Sequence, residues 1–172
     1  MPPNDPELAL TERLVLAVLA EGPAHGFAIA RRLSAHGDIG RVWTVSRPLV
    51  YRALQRLVGA RLAEPARREA GAGGPTRMVL RATRRGRAHT HRWLLQPVAH
   101  VRYLRSELVA KLVLHAHAGT DPAPLLVAQR ATLAPIIEAL RDEAAAAPDD
   151  PVVAWRLTMA EAAACYVDAL AP

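Results

Sequence analysis

The chain has 172 residues, 51% of them hydrophobic, and a formal net charge of +6 at pH 7. This length suffices to bury a core without disulfides or a structural metal. The single cysteine, Cys165, excludes an internal disulfide and a zinc site built from cysteines, as expected in a reducing compartment. The apolar run at residues 14–20 is far shorter than the roughly 20 residues of a membrane span, and no signal-peptide pattern accompanies it. We therefore expect a cytoplasmic protein without a membrane partner.

The positive charge is concentrated in the first half of the chain. Residues 1–95 contain 16 arginines and 7 acidic residues, a net charge of +9, whereas residues 96–172 carry a net charge of −3. Such an asymmetry is typical of a chain of which one part meets a polyanion. The first half is therefore the candidate for a nucleic-acid-binding part.

The sequence of the first half of the chain predicts three helices followed by a β-hairpin. Three prolines among the first six residues predict a flexible arm over residues 1–7. Apolar periodicity and turn residues then predict helices at residues 8–20, 27–36 and 46–59, and strands at residues 62–67 and 76–83. Gly37 ends the second helix, His25 orders the turn before it, and Pro65 confines the first strand to a sheet edge. A glycine-rich turn joins the two strands.

The second half predicts helices only. They are expected at residues 83–96, 98–118, 121–147 and 152–170. Pro135 lies inside the third of these helices and predicts a kink there or two shorter helices. The apolar stretch at residues 107–116 predicts a buried helix, and burial against a second copy of the chain would be one use for it.

Three helices followed by a hairpin is the order of a winged helix-turn-helix, whose third helix enters the DNA major groove. In this chain, the apolar inner face of the third helix consists of Val50, Ala53, Leu54 and Leu57. Its opposite face carries residues that suit DNA. They are Tyr51, Arg52, Gln55 and Arg56, and Pro48 lies on the same face. Arginine pairs with guanine, glutamine pairs with adenine, and tyrosine contacts phosphates or thymine methyl groups.

We expect Arg47, Tyr51 and Gln55 near base edges, and Arg52 and Arg56 on phosphates. Ser46 or Thr44 would cap this helix, although Pro48 disfavours a helical conformation at Arg47. The hairpin adds further positive charge. Its arginines, and those that follow it, are Arg67, Arg68, Arg77, Arg81, Arg84, Arg85 and Arg87.

Two other interpretations of this surface stay open. The polar face of a surface helix is ordinarily just solvated. A winged-helix module can also dock an acidic protein partner through a basic face without binding DNA. The position of the face, directly before a basic hairpin in the basic half of the chain, favours double-stranded DNA as the partner.

The remaining histidine, cysteine and acidic residues indicate neither a metal site nor a catalytic site. His89 and His91 lie two apart, as do His115 and His117, so each pair points in directions about 200° apart on a helix and suits no metal. No nucleophile motif, phosphate-binding glycine loop or carboxylate pair is present. We expect no cofactor, no metal and no enzymatic activity, and we expect Cys165 in the core.

The few aromatic residues of the second half suggest an effector pocket. Such pockets are mostly apolar with a few polar groups. The candidates are Trp93, Tyr103, Trp155, Met159 and Tyr166. The alternative is that these side chains serve packing and a dimer interface.

Over about residues 8–92, the chain resembles the PadR family of bacterial transcriptional regulators. The resemblance lies in three stretches, LAEGPAHGFAIARRL, WTVSRPLVYRALQRLVGARLAEP and GGPTRMVLRATRRGRA. The continuation, through RWLLQPV and VRYLRSELVAKLVL, is similar to the subgroup with a C-terminal part of several helices. The fold class implied is mainly α, with a winged helix-turn-helix and two-stranded wing at residues 8–92 and a helical dimerisation and effector domain at residues 93–172.

The resemblance also implies a function, that of a homodimeric repressor that binds a pseudo-palindromic operator and responds to a small apolar or aromatic effector. In the family pattern Ser46, with Arg47, Tyr51 and Gln55, contacts the operator, and Arg77 of the wing assists. The predicted DNA-binding set is Ser46, Arg47, Tyr51, Arg52, Gln55, Arg56 and Arg77. Phe27 replaces a more frequent tyrosine, which removes a hydroxyl contact from the second helix.

Overall fold

The computed structural model describes residues 6–71 and 74–170. Most of the predicted N-terminal arm, residues 1–5, and the middle of the glycine-rich turn, residues 72 and 73, lie outside the described residues. The chain forms two compact units, of which the first ends at Leu94 and the second begins at Leu95.

The first unit combines helices with a small antiparallel sheet. Its helices are α1 (Leu10–Glu21), α2 (Gly26–Arg32), α3 (Arg47–Gly59) and α4 (Arg84–Leu95), and its strands are β1 (Ala24–His25), β2 (Ala63–Gly71) and β3 (Gly74–Ala82). The predicted hairpin is confirmed as β2 and β3, and the strand order β1-β3-β2 places Pro65 on an edge strand, as predicted. The two-stranded wing gains a third strand that the sequence did not predict, because β1 pairs with β3 at Leu80 and Val79.

The core of the first unit is built on α1. Every residue from Leu14 to Leu19 is buried, as suits a helix whose sequence is apolar on nearly all sides. The predicted apolar face of α3 is buried as well, through Val50, Ala53, Leu54 and Leu57. Since that face packs inward, the polar face of α3 points to solvent.

The segment between α2 and α3 is a compact loop rather than helix. The prediction that the second helix continues to Gly37 is wrong, because α2 ends at Arg32. A Cβ at Gly40 would lie 1.8 Å from the Ser34 carbonyl oxygen, so the loop folds back too closely for any other residue. Burial lowers the pKa of Arg32, but its hydrogen bonds to Glu21 and Asp38 outweigh this effect and raise the pKa above its usual value. Arg32 therefore stays charged and ties α2 to this loop.

A threonine and a glycine fix the junction of the wing with α4. The Thr83 hydroxyl accepts a hydrogen bond of 3.0 Å from the Gly86 backbone N–H and caps the helix. A Cβ at Gly86 would lie 2.1 Å from the Leu62 carbonyl oxygen. The close approach of α4 to the segment between α3 and β2 thus depends on glycine at this position.

The second unit is helical throughout its described residues. It contains α5 (Val101–Tyr103), a π-helical segment (Leu104–Leu108), α6 (Val109–Ala118), α7 (Ala123–Ala146) and α8 (Pro151–Leu170). Of the two outcomes predicted for Pro135, division into two shorter helices is wrong, because α7 is one helix that includes this proline. The π-helical segment has no signature in the apolar periodicity and was not predicted.

Leucines of α7, with residues of α8, form the core of the second unit. The α8 side that packs inward presents Val153, Ala160 and Val167, at intervals of seven residues. Cys165 is exposed, so its predicted core position is wrong. The helix is apolar on nearly all sides, and its periodicity therefore could not tell which side is buried.

Two of the buried polar side chains of this unit, Gln129 and Lys111, form hydrogen bonds with the backbone. Gln129 accepts a hydrogen bond of 2.7 Å from the Val98 N–H and donates one of 3.0 Å to the Val98 carbonyl. Lys111 donates to the Gln96 carbonyl at 2.7 Å and pairs with Glu107 at 3.1 Å. The predicted burial of residues 107–116 is largely confirmed and occurs within the chain itself, so it requires no second copy.

One helix, α7, is long and apolar enough to cross a membrane by length and composition alone. Core helices of soluble proteins share this property. The buried side of α7 includes Leu125, Leu126 and Leu133, which lie in the core of the second unit.

Candidate nucleic-acid interface

The polar face of α3 begins at the first residue of the helix. Arg47 is already helical although Pro48 follows it, because the first helical N–H groups need no partner within the helix. Neither predicted side-chain cap forms. Ser46 occupies the N-cap position without a capping hydrogen bond, and the Thr44 hydroxyl donates to the Gly40 carbonyl instead. Ser46 is consequently exposed at the tip of the helix.

All seven predicted DNA-binding residues are exposed. Four of them, Arg47, Tyr51, Gln55 and Arg77, line one open cavity of about 780 Å³ between the start of α2, α3 and β3. Ser46, Arg52 and Arg56 lie outside the walls of this cavity. The structure thus brings the N-terminal half of the polar face of α3 together with the wing.

Phe27 lies among these four residues. The Cζ atoms of Arg47 and Arg77 lie 4.8 Å and 5.4 Å from the centroid of the Phe27 ring, both within the range of cation–π contact. The sequence indicated only the loss of a tyrosine hydroxyl at this position. The sequence did contain one signal, because Phe27 is the only phenylalanine of the chain. In the structure this residue is 41% exposed.

The turn before α2 holds the ring of Tyr51 in place. The His25 Nδ1 atom accepts a hydrogen bond of 3.0 Å from the Ala28 N–H, which confirms the predicted ordering role of His25. Next to it, Gly26 packs against Tyr51 so closely that a Cβ would lie 2.7 Å from the ring atom Cε1. The Tyr51 ring can therefore occupy this position only because residue 26 is a glycine and has no Cβ.

Arg56 differs from the other arginines of α3 because it has a carboxylate partner inside the unit. Its Nη1 atom lies 2.8 Å from Oε1 of Glu12, a carboxylate of α1 that is 5% exposed. Oε2 of Glu12 accepts a hydrogen bond from the Ala9 N–H. Arg56 thus joins α3 to α1, and part of its charge is already neutralised.

The wing contains both paired and unpaired arginines. Arg67 pairs with Glu69, and Arg81 pairs with Glu64 at 2.8 Å. Within the described residues, Arg77 forms no ion pair with a carboxylate. The positive charge that the wing can offer to an anion is therefore concentrated on fewer side chains than the sequence indicated.

Comparison with known proteins gives a family match within the first unit. Residues 15–92 match the model of the transcriptional regulator PadR-like family. No curated protein matched the chain.

The chain is also similar in fold to solved structures. It has 14% sequence identity and a TM-score of 0.50 to the crystal structure of Bacillus subtilis PadR in complex with operator DNA, covering 96% of this chain and 100% of that one. The smu.1604c protein of Streptococcus mutans UA159 has 12% identity and a TM-score of 0.45, covering 92% and 96% of the two chains. The Bacillus subtilis PadR in complex with p-coumaric acid has 13% identity and a TM-score of 0.40, covering 95% and 96%. The similarity to the crystal structure of Bacillus subtilis PadR in complex with operator DNA confirms the predicted winged-helix fold.

The predicted effector residues are only partly brought together by the structure. Trp155, Met159 and Tyr166 of α8 line a cavity of about 950 Å³ in the second unit, opposite Arg102 and other residues of the α5 region. Trp93 is buried in the first unit, where its ring lies 6.0 Å from the Arg13 Cζ atom. The Tyr103 side chain is 44% exposed and does not line the cavity. Within the described residues, no cluster of three or more His, Cys, Asp or Glu could hold a metal ion.

Proposed function

We propose that this protein is a DNA-binding transcriptional regulator of the PadR-like family. It acts as a cytoplasmic homodimeric repressor, which binds a pseudo-palindromic operator and is modulated by a small apolar or aromatic effector. The observation that carries the proposal is the convergence of Arg47, Tyr51 and Gln55 of α3 with Arg77 of the wing on one open face. A recognition helix and a wing that share one face can contact a groove and the adjacent backbone at once.

The side chains of this face suit different parts of DNA. Gln55 can pair with an adenine edge, and the Tyr51 ring and hydroxyl can meet a thymine methyl group or a phosphate. Arg52 is exposed on the same helix and suits a phosphate. Arg56 contributes less, because Glu12 already compensates its charge.

An apolar stripe on α8, exposed except at the half-buried Met159, supports the dimer. Trp155, Met159, Ala162 and Tyr166 follow one another at intervals of four, three and four residues, on the side of the helix opposite Val153. Trp155 is 64% exposed. Burying such a stripe against the same stripe of a second copy would remove it from water and give a two-fold symmetric contact.

The cavity of the second unit supports the effector. Its walls combine apolar side chains with Trp155 and Tyr166, and with the cationic Arg102, Arg105 and Arg156. This composition suits an aromatic molecule with a polar or negatively charged group.

Binding to the DNA upstream of its own gene tests the central proposal. We expect sequence-specific binding that weakens steeply with salt, because each neutralised phosphate contributes about −0.9 to the slope of log K against log salt concentration. The double variant Arg47→Ala, Gln55→Ala should lose this binding. Binding that ignores salt, or that survives the double change, would contradict the proposal. An acidic protein partner would instead require retention on heparin without any preference for a DNA sequence.

Light scattering coupled to size-exclusion chromatography tests the dimer. We expect a mass of twice 18.6 kDa for the wild type and of one chain for Trp155→Glu. Ala154→Glu adds the same charge on another side of α8 and should remain dimeric. A monomeric wild type at micromolar concentration would refute the two-half-site arrangement.

The effector cavity can be tested with the anionic aromatic dye 8-anilinonaphthalene-1-sulfonate. Its fluorescence should rise on binding to the wild type but not to Ala163→Trp, which fills the cavity. The dye should also lower the affinity of the wild type for its operator. Equal dye binding by both proteins, or no effect on operator binding, would argue against an effector site here.

A further inference from the structure

The only phenylalanine of the chain is shared by two arginines from different elements. Phe27 is the second residue of α2, Arg47 is the first residue of α3, and Arg77 lies on β3 of the wing. Both guanidinium carbons lie within 5.4 Å of the Phe27 ring centroid. A ring that is 41% exposed therefore lies where the recognition helix meets the wing.

The two arginines lack the compensation that other arginines of the unit have. Glu12 pairs with Arg56 and Glu64 pairs with Arg81, but within the described residues no carboxylate forms an ion pair with Arg47 or Arg77. Two guanidinium groups on one ring repel each other. An anion that bridges them would relieve this repulsion.

Stacking on an aromatic ring suits arginines that bind an anion. The ring contacts the flat face of a guanidinium group, whereas all the N–H donors lie at its edges and stay available. The ring also restricts side chains that otherwise sample many rotamers, so less conformational entropy is lost when the ligand binds. Phe27 thereby orders Arg47 and Arg77 before DNA arrives.

We propose that Phe27 is a positioning residue that holds Arg47 of the recognition helix and Arg77 of the wing together as one binding site for a backbone phosphate of DNA. This inference rests on the proposed operator binding and refines it. Arg47 is assigned to the backbone rather than to a base edge, and base reading is left to Tyr51 and Gln55. Since phosphates are the same in every sequence, the site contributes affinity and register but no sequence preference.

The test compares wild type, Phe27→Leu and Phe27→Tyr by fluorescence polarisation on the operator and on an unrelated duplex. We expect Phe27→Leu to weaken binding to both duplexes by about tenfold, equivalent to about 1.4 kcal/mol, with an unchanged ratio between them. Phe27→Tyr keeps the ring and should stay within about twofold of wild type. In a background of Arg47→Ala and Arg77→Ala, Phe27→Leu should have no further effect.

A matched control is Trp43→Leu, which removes another exposed aromatic side chain of the same unit. Its effect on DNA binding, whatever its size, should be the same with and without the two arginines. If Phe27→Leu folds poorly, Phe27→Met replaces it, and circular dichroism verifies the fold of each variant.

A measurement without DNA separates failure of this inference from failure of the proposed function. In ¹H–¹⁵N spectra of the free protein, ring currents should shift the Nε–H signals of Arg47 and Arg77, and Phe27→Met should abolish both shifts. A wild type that binds no DNA would overturn the proposed function. Unshifted arginine signals, wild-type DNA affinity of Phe27→Leu, or an equal loss with and without the arginines would each overturn the inference.

Discussion

The contact between Gly26 and Tyr51 allows a sharp test of how the candidate interface is positioned. In Gly26→Ala, the new Cβ would lie 2.7 Å from Cε1 and 3.0 Å from Cζ of the Tyr51 ring, and 3.2 Å from Cδ1 of Leu54. Carbon atoms in favourable contact lie about 3.5–4.0 Å apart. The ring must therefore move by about 1 Å, away from the first turn of α2.

Two effects of Gly26→Ala can be estimated. Overpacking typically costs about 1–3 kcal/mol, and the value here should lie near the lower end because Tyr51 is 44% exposed and can swing outward. A displaced Tyr51 would also lose its contact with DNA, which is worth about 1 kcal/mol for one hydrogen bond. We expect a loss of about 1 kcal/mol in unfolding free energy and a roughly fivefold rise in the Kd for the operator.

Fluorescence polarisation and urea denaturation measure both effects. Gly22→Ala is the matched control, because its Cβ would have no neighbour within 4 Å and its φ of 171° is extended backbone that alanine adopts. This control should bind and unfold like the wild type. In a Tyr51→Ala background, Gly26→Ala should no longer weaken DNA binding. The reasoning is refuted if Gly26→Ala has wild-type affinity, or if it weakens binding equally without the Tyr51 ring.

Three further variants test interactions that stabilise each unit internally. Arg56→Ala should cost about 1–2 kcal/mol in urea denaturation, because it leaves buried Glu12 without its cation, and the double variant with Glu12→Gln should recover part of this loss. Gly86→Ala should cost more than about 2 kcal/mol, since its Cβ would lie 2.1 Å from a backbone oxygen, and an unchanged thermal midpoint would contradict this. Gln129→Leu should cost about 2–4 kcal/mol by orphaning both backbone groups of Val98, and a loss below about 0.5 kcal/mol would refute that role.

Much of the fold could be predicted from local pattern. The inner face of α3 and the buried α1 follow from the spacing of apolar residues, because helix geometry alone decides which side chains share a face. Pro65 indicated an edge strand because it lacks an N–H group. The two-residue strand β1 was not predictable in this way, since it is too short to have a period and pairs with residues more than fifty positions later.

The limits of local pattern are clearest on α8. This helix is apolar on nearly all sides, so the sequence predicted a core position for Cys165, which the structure places at the surface. Only the tertiary structure shows which side of α8 is buried, because Val153, Ala160 and Val167 pack inward. Local pattern also could not assign Trp93 of α4 to a unit. The sequence analysis grouped this residue with the effector residues, but it lies in the first unit.

The sequence by itself determined the basic character of the first unit, the winged-helix order of its elements and the exposure of Arg47, Tyr51 and Gln55. These properties depend on composition and on the geometry of single elements. Only the tertiary structure decided that Glu12 neutralises Arg56, whereas Arg47 and Arg77 share the ring of Phe27. Ion pairs and ring contacts require atoms within a few ångströms of each other, and residues twenty to fifty positions apart reach such distances only when α1, α2, α3 and the wing have packed together.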